Sequence, residues 1–230
     1  LPAITQARHG RSMKTLNCIW DLDGTLLDSY PLMSKGLLSL NQQLNLSTRQ
    51  DIILDHILKT SIQDYLNSLA LSTHQSLPVL QAYLKRYVDE RRDQLHLFPE
   101  VPSLLKRLKQ QGARHFMQTH SDHKAIALLE SFGILKLFDE VITSERGFKR
   151  KPSSEGIDYL LTAYQLDPKQ SWYIGDRSLD VEAAQNASIN SLLISECPLL
   201  IQPDHQVKSL KEAEIFLLSV LTHEDNLKLS

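Results

Sequence analysis

The chain has 230 residues, 42% of them hydrophobic and 23% charged, with a formal net charge of -2 at pH 7. This length supports a hydrophobic core of normal size, and the composition excludes wholesale disorder. The balanced charge excludes a general nucleic-acid binder, and two cysteines exclude a disulfide scaffold. No apolar stretch approaches the roughly 20 residues that a membrane span needs. We therefore expect a cytoplasmic protein with reduced thiols and with neither nucleic-acid nor membrane partners.

The predicted elements follow one another in a strand–helix order. Residues 1–12 fit no pattern, and we expect a non-native remnant or a disordered arm there. Short apolar runs typical of buried strands occupy 16–20, 115–118, 140–142, 172–174 and 191–194. Helical patterns cover 102–111, 122–132, 155–164 and 181–187, and a capping-box pattern at Ser209 and Glu212 opens a last helix. Strand–helix alternation of this kind predicts a parallel sheet covered by helices.

One region interrupts the alternation. Between Pro31 and His96 the sequence contains no convincing strand, only amphipathic helical patterns at 52–58, 62–69 and 80–91. We therefore predict an α/β protein in which a Rossmann-like parallel-sheet core, 13–29 and 97–230, carries an inserted α-helical cap domain at 30–96.

An acidic motif, Asp21-Leu22-Asp23-Gly24-Thr25, ends the first predicted strand. Ligands of open α/β sheets bind at the carboxyl ends of the strands, and alternation along a strand places Asp21 and Asp23 on one side. Two such carboxylates repel each other unless they share a cation or a proton, and Mg²⁺ suits oxygen ligands of this kind. The bland alternative is an Asp-Gly turn with an incidental second aspartate.

A second acidic cluster, Gly175-Asp176-Arg177-Ser178-Leu179-Asp180, directly follows the strand predicted at 172–174. Helix capping by aspartate is sufficient to explain it in isolation. Paired with the first motif, however, Asp176 and Asp180 supply further side-chain ligands for the same cation.

Two more residues stand near predicted strand ends. Thr119 precedes a helix opening, where its hydroxyl and the backbone N–H groups suit a phosphate oxygen, although in isolation a capping role is the simpler explanation. Lys151 lies in a basic stretch before Pro152 and suits the charge of a transferring phosphoryl group, with a solvated patch as the alternative.

These four elements, in this order, resemble the haloacid dehalogenase-like phosphohydrolases, in particular the capped group similar to phosphoglycolate phosphatase. The resemblance covers nearly everything from Met13 onward. It implies that Asp21 attacks phosphorus to form an aspartyl-phosphate, while Asp23 protonates the leaving alcohol and then activates water. It further implies that Thr119 and Lys151 hold the phosphoryl group of a small phosphorylated substrate.

The resemblance also implies a magnesium site. Mg²⁺ would bind the Asp21 carboxylate, the main-chain carbonyl of Asp23 and Asp176, with Asp180 as a further ligand or a support behind the ligands.

The chain departs from the family pattern at His120, where Asn or a small residue is common. His120 either reaches the substrate or lines the rim of the pocket. In the cap, Lys59 is the candidate for a second substrate contact, with a solvated helix end as the alternative. The segment 58–66 resembles a loop of β-phosphoglucomutase-type relatives, so a sugar phosphomutase is the second hypothesis. Those relatives carry an arginine near the position of Ile62, and the apolar residue here favours hydrolysis instead.

Two other classes of protein remain as hypotheses. A signalling receiver domain needs only about half this length and has no helical insertion, and a catalytically idle binding protein conflicts with the intact acidic residues. For the enzyme we expect a monomer or a weak homodimer.

Overall fold

Six strands form one parallel sheet in the computed structural model of the chain, which describes residues 15–196 and 200–223. The strands are β1 (Asn17–Trp20), β2 (Arg114–Gln118), β3 (Glu140–Ile142), β4 (Ser171–Gly175), β5 (Asn190–Ile194) and β6 (His205–Val207). Their order across the sheet is β3-β2-β1-β4-β5-β6, with every neighbouring pair parallel. The direction of the strand order therefore reverses between β1 and β4, where open α/β sheets bind their ligands.

Five α-helices lie between β1 and β2 in the chain: α1 (Tyr30–Gln43), α2 (Gln50–Lys59), α3 (Ile62–Thr73), α4 (Leu77–Asp89) and α5 (Val101–Gln110). After β2 come α6 (Lys124–Ser131), α7 (Glu155–Ala163), α8 (Ser178–Asn186) and α9 (Leu210–His223). Gly112, with φ of +94°, follows α5 in the left-handed conformation that glycine adopts without strain. The parallel sheet and its helices confirm the predicted α/β class.

The described chain divides into two units, one made of residues up to Trp20 and from Pro102 onward, the other Asp21–Val101. The first unit contains the sheet. Its core includes side chains of the central strands and of α7 and α8, among them Ile19, Phe116, Ile157, Tyr173 and Ala183. The central strands β1, β2 and β4 are almost wholly buried, and apolar side chains predominate along them.

The second unit contains α1–α4 around its own core, which includes Leu37, Ile53, Leu66 and Leu80. Gly36 lies in α1 where an added Cβ would come within 2.7 Å of the Leu84 side chain, so a larger residue there would displace side chains of α4. The segment predicted to be helical, 30–96, lies inside this unit. The boundaries of the cap domain stay a prediction.

The structure adds β6 to the five strands predicted from the sequence. Its three residues include only one buried side chain, Val207, so no apolar run marks it. It forms by pairing with the edge of β5.

None of the helices in the described ranges is both long and apolar enough to cross a membrane. Cys18 is a free, buried thiol in β1, and burial raises its pKa. The predictions for residues 1–12 and for the thiol of Cys197 fall outside the described residues.

Candidate active site

Three carboxylates meet at the carboxyl ends of β1 and β4. Asp21 is bonded to Trp20, the last residue of β1, whose partner in β4 is Ile174. Asp176 follows the end of β4, and Asp180 lies one turn further on, in α8. Carboxylate oxygens of Asp21, Asp176 and Asp180 lie within 4.8 Å of one another. The structure thus brings together three of the four residues predicted as metal ligands.

This donor set fits a hard divalent cation. Three carboxylates this close repel one another when all are ionised, and a cation between them removes that repulsion. All three donors are oxygens, the ligands that Mg²⁺ prefers. A set of three protein ligands also leaves coordination positions for water and a phosphate oxygen. Asp21, Asp176 and Asp180 are therefore able to hold Mg²⁺.

Lys151 and Asp180 form a buried ion pair in which Nζ lies 2.6 Å from Oδ1, with side chains only 2% and 3% exposed. The second oxygen of Asp180, Oδ2, accepts the backbone N–H of Arg177 at 3.1 Å. Both carboxylate oxygens thus have a donor, as a buried charge requires. Asp180 is therefore both a member of the acidic cluster and the ion-pair partner of Lys151.

Gly175 gives Asp180 the space for this arrangement. An added Cβ at Gly175 would lie 2.3 Å from Asp180 Oδ2, closer than any side chain allows. The sequence gives this glycine no predicted role, although its place just before Asp176 is a signal.

Thr119 follows β2 and is buried. Its Oγ1 accepts the backbone N–H of Ser121 at 3.1 Å, and its own N–H donates to the carbonyl of Ile142 at 2.9 Å. The first bond closes a turn at the start of the loop between β2 and α6, and the second continues the pairing of β2 with β3. The capping interpretation is wrong, because α6 begins at Lys124 and its N-cap residue is His123. The phosphate-binding role of Thr119 stays a prediction.

His120, the next residue, is half-buried, and its Nε2 accepts the backbone N–H of Lys151 at 3.0 Å. Burial lowers the pKa of His120 to about 3, and the neighbouring cationic side chains of Lys151, Arg150 and Arg177 lower it further. An imidazole in these surroundings is neutral at physiological pH. The bond to Lys151 was not predictable from the sequence, because the partner of His120 is a backbone group 31 residues away.

Asp23 and Lys59 lie, like Asp21, in the unit Asp21–Val101. Asp23 is half-buried and enters a tight turn in which the N–H of Gly24, at φ +84°, donates to the carbonyl of Leu27 at 2.9 Å. Lys59 ends α2 and its Nζ forms an exposed ion pair with Asp55 at 2.8 Å. Such pairs contribute little to stability. The predicted contacts of Asp23 and Lys59 with a ligand stay predictions.

The strand order, the buried lysine and an acidic cluster able to hold a cation are the features of an α/β enzyme whose site lies at the switch point of its sheet. Residues 18–194 match the haloacid dehalogenase-like hydrolases, and the chain belongs to this family. The resemblance drawn from the sequence is thereby confirmed.

Individual relatives agree with the family match. The chain is 31% identical over 179 residues to a phosphoglycolate phosphatase of Pasteurella multocida, a match that covers 73% of this chain and 80% of the relative. It is 29% identical over 198 residues to a phosphoglycolate phosphatase of Vibrio cholerae, covering 78% and 84% of the two chains. The crystal structure of a hydrolase from Streptococcus pneumoniae superimposes with a TM-score of 0.62 at 30% identity, over 89% of this chain and 99% of that one. The predicted class of enzyme, a phosphatase, is confirmed.

Proposed function

We propose that the chain is a Mg²⁺-dependent phosphatase that hydrolyses a small phosphorylated metabolite through an aspartyl-phosphate intermediate. The observation that carries this proposal is the group of Asp21, Asp176 and Asp180 carboxylates beside the buried Lys151–Asp180 ion pair. One arrangement thus offers a nucleophile, a cation site and a fixed positive charge.

Asp21 is the nucleophile in this proposal. One of its carboxylate oxygens attacks phosphorus, and the bond from phosphorus to the ester oxygen breaks. In the second step water attacks the phosphorus of the aspartyl-phosphate, which releases inorganic phosphate and restores the carboxylate. Asp21 is 7% exposed, which limits competing hydration of the attacking oxygen.

Asp23 is the general acid and then the general base in this proposal. It gives a proton to the departing alcohol in the first step, and it accepts one from the attacking water in the second. The two steps balance, because the proton lost to the alcohol is regained from the water.

Lys151 and Thr119 hold the phosphoryl group. A carboxylate that attacks a phosphate dianion meets strong repulsion, and the ammonium of Lys151 offsets it at a position set by Asp180. When bound at the carboxylates, Mg²⁺ supplies charge neutralisation and orients a phosphate oxygen.

The relatives named as phosphoglycolate phosphatases support a small acidic phosphomonoester as the substrate, and phosphoglycolate is the first compound to test. Sugar and nucleotide phosphates are the next candidates. The cytoplasmic location and the monomeric or weakly dimeric state stay predictions.

Phosphate release from a panel of these esters, measured with Mg²⁺ and with EDTA, tests the proposal. We expect release from at least one ester, abolished by EDTA and restored by added Mg²⁺. The panel includes glucose 1-phosphate with a glucose bisphosphate primer, since a phosphomutase would interconvert phosphates without net release. Release that is insensitive to EDTA, or no release from any ester, would overturn the proposal.

A further inference from the structure

Lys151 is held at both ends of the residue. At the tip of its side chain, Nζ contacts Asp180 Oδ1 at 2.6 Å. At the backbone, its N–H donates to His120 Nε2 at 3.0 Å. The first contact comes from α8 and the second from the loop after β2, so two separate elements of the sheet unit determine where this lysine lies.

The loop that carries Lys151 needs such support. Residues 147–150 have no regular structure, and 151–152 form a turn that precedes α7. Lys149 and Ser153 make local bonds, since Lys149 N–H donates to Glu155 and Ser153 N–H to the carbonyl of Arg150, while the carbonyl of Pro152 accepts Asn186 Nδ2 of α8 at 2.8 Å. The bond from His120 to Lys151, by contrast, spans 31 residues and ties the loop to the end of β2.

The bond requires that His120 Nε2 carry no proton. Burial and the positive charges of Arg150, Lys151 and Arg177 all disfavour the imidazolium, so the ring remains an acceptor at physiological pH. The proton of the neutral ring is then on Nδ1.

We propose that His120 is a positioning residue for Lys151. Its Nε2 accepts the Lys151 backbone N–H and thereby holds the lysine ammonium where it meets the substrate phosphoryl group. This role rests on the proposed phosphatase function, in which Lys151 binds that group. A small displacement of a charge-stabilising group is costly because the group must lie in place before the reaction.

Two substitutions distinguish the effect of losing the hydrogen-bond acceptor from the effect of losing the volume of the ring. His120→Leu removes the acceptor and retains an apolar side chain, whereas His120→Gln places an amide oxygen near the position of Nε2. His123→Leu is the matched control, because His123 is exposed and pairs with Glu145 at 2.7 Å.

The readouts are the dissociation constant of inorganic phosphate in the presence of Mg²⁺, by calorimetry, and the amide hydrogen exchange of Lys151, by NMR. For His120→Leu we expect weaker phosphate binding and faster Lys151 exchange, each by roughly 3- to 10-fold, the size of one net hydrogen bond. His120→Gln should restore both toward wild type, and His123→Leu should change neither.

The ring NMR of His120 gives a further readout that needs no turnover. We expect the neutral tautomer with the proton on Nδ1. A proton on Nε2, or unchanged phosphate binding and exchange in His120→Leu, would overturn the proposal, as would failure of His120→Gln to restore them. A wild-type protein without phosphatase activity would instead refute the proposed function, while exchange and tautomer still report on the His120–Lys151 bond.

Discussion

Trp20 Nε1 donates a hydrogen bond to His115 Nδ1 at 3.1 Å, which joins the neighbouring strands β1 and β2 through their side chains. The other ring nitrogen, Nε2, lies 3.0 Å from the carbonyl oxygen of Leu105 in α5. Both side chains are fully buried. One state satisfies all these groups, a neutral imidazole that accepts from Trp20 and donates to Leu105. Because Trp20 precedes Asp21, the pair supports the end of the strand that carries the proposed nucleophile.

The first prediction concerns pH. Burial lowers the pKa of His115 to about 4 from its usual 6.5. Between these values the unfolded chain binds the proton and the folded chain does not, so stability falls as pH decreases from 6.5 to 4. The full contribution, about 3 kcal/mol, is present above pH 6.5. In His115→Asn the amide oxygen still accepts from Trp20, but nothing titrates.

The measurement is the free energy of unfolding of both proteins at several pH values. At pH 7 the variant should be less stable by about 1–3 kcal/mol, because the Leu105 carbonyl loses its donor. This difference should shrink toward pH 4. A difference that is constant with pH would contradict the prediction.

The second prediction is that Asp21→Asn abolishes phosphate release, by a factor on the order of 10³ or more, because the amide is not a nucleophile. The fold should survive, since the amide occupies the same volume. Without Mg²⁺ the melting temperature should be unchanged or higher, because one of three crowded negative charges is gone. Phosphate release and circular-dichroism melting measure the two effects. Near-normal turnover would show that another group is the nucleophile.

Much of the sheet was predictable because strands buried on both faces consist largely of apolar residues. The run that became β1 is entirely buried, and such a run has few alternative structures. Strand β6 lacks this signal, since His205 and Gln206 are polar and only pairing with β5 makes the segment a strand. Its structure depends on a neighbour that the local sequence does not reveal.

The candidate site likewise has residues that the sequence predicts and contacts that it does not. The acidic residues were recognisable because Asp21 and Asp176 directly follow apolar runs, and strand ends of a parallel sheet share one edge. The contacts of Lys151 were not, because its partners His120 and Asp180 are 31 and 29 residues away. Only the packing of β2 and β4 around β1 brings them together.

The third prediction concerns the metal. Mg²⁺ that binds the folded chain alone must raise its melting temperature with increasing concentration. Asp176→Asn removes one ligand from the cluster, so the rise should need at least about tenfold more Mg²⁺, a loss on the order of 1.4 kcal/mol of binding. Glu145→Gln, an exposed carboxylate outside the cluster, is the control. Equal Mg²⁺ responses in all three proteins would show that the carboxylates do not hold the ion.

The fourth prediction distinguishes the contribution of the Lys151–Asp180 pair to folding stability from its role in phosphate release. Lys151→Met leaves the Asp180 carboxylate buried without its cation, and we expect a loss of about 3–5 kcal/mol of stability. Phosphate release should also fall, since the phosphoryl group loses its ammonium.

In the double variant, Lys151→Met with Asp180→Asn, the buried charge is gone and the amide oxygen can still accept the Arg177 N–H. Much of the stability should therefore return, while phosphate release stays low. Urea unfolding and phosphate release of the four proteins in this cycle measure the coupling between the two residues. If the changes in unfolding free energy of the two single variants sum to that of the double variant, the 2.6 Å contact between Lys151 and Asp180 contributes nothing to the fold. Recovery of turnover in the double variant would mean that the ammonium of Lys151 does not act on the phosphoryl group.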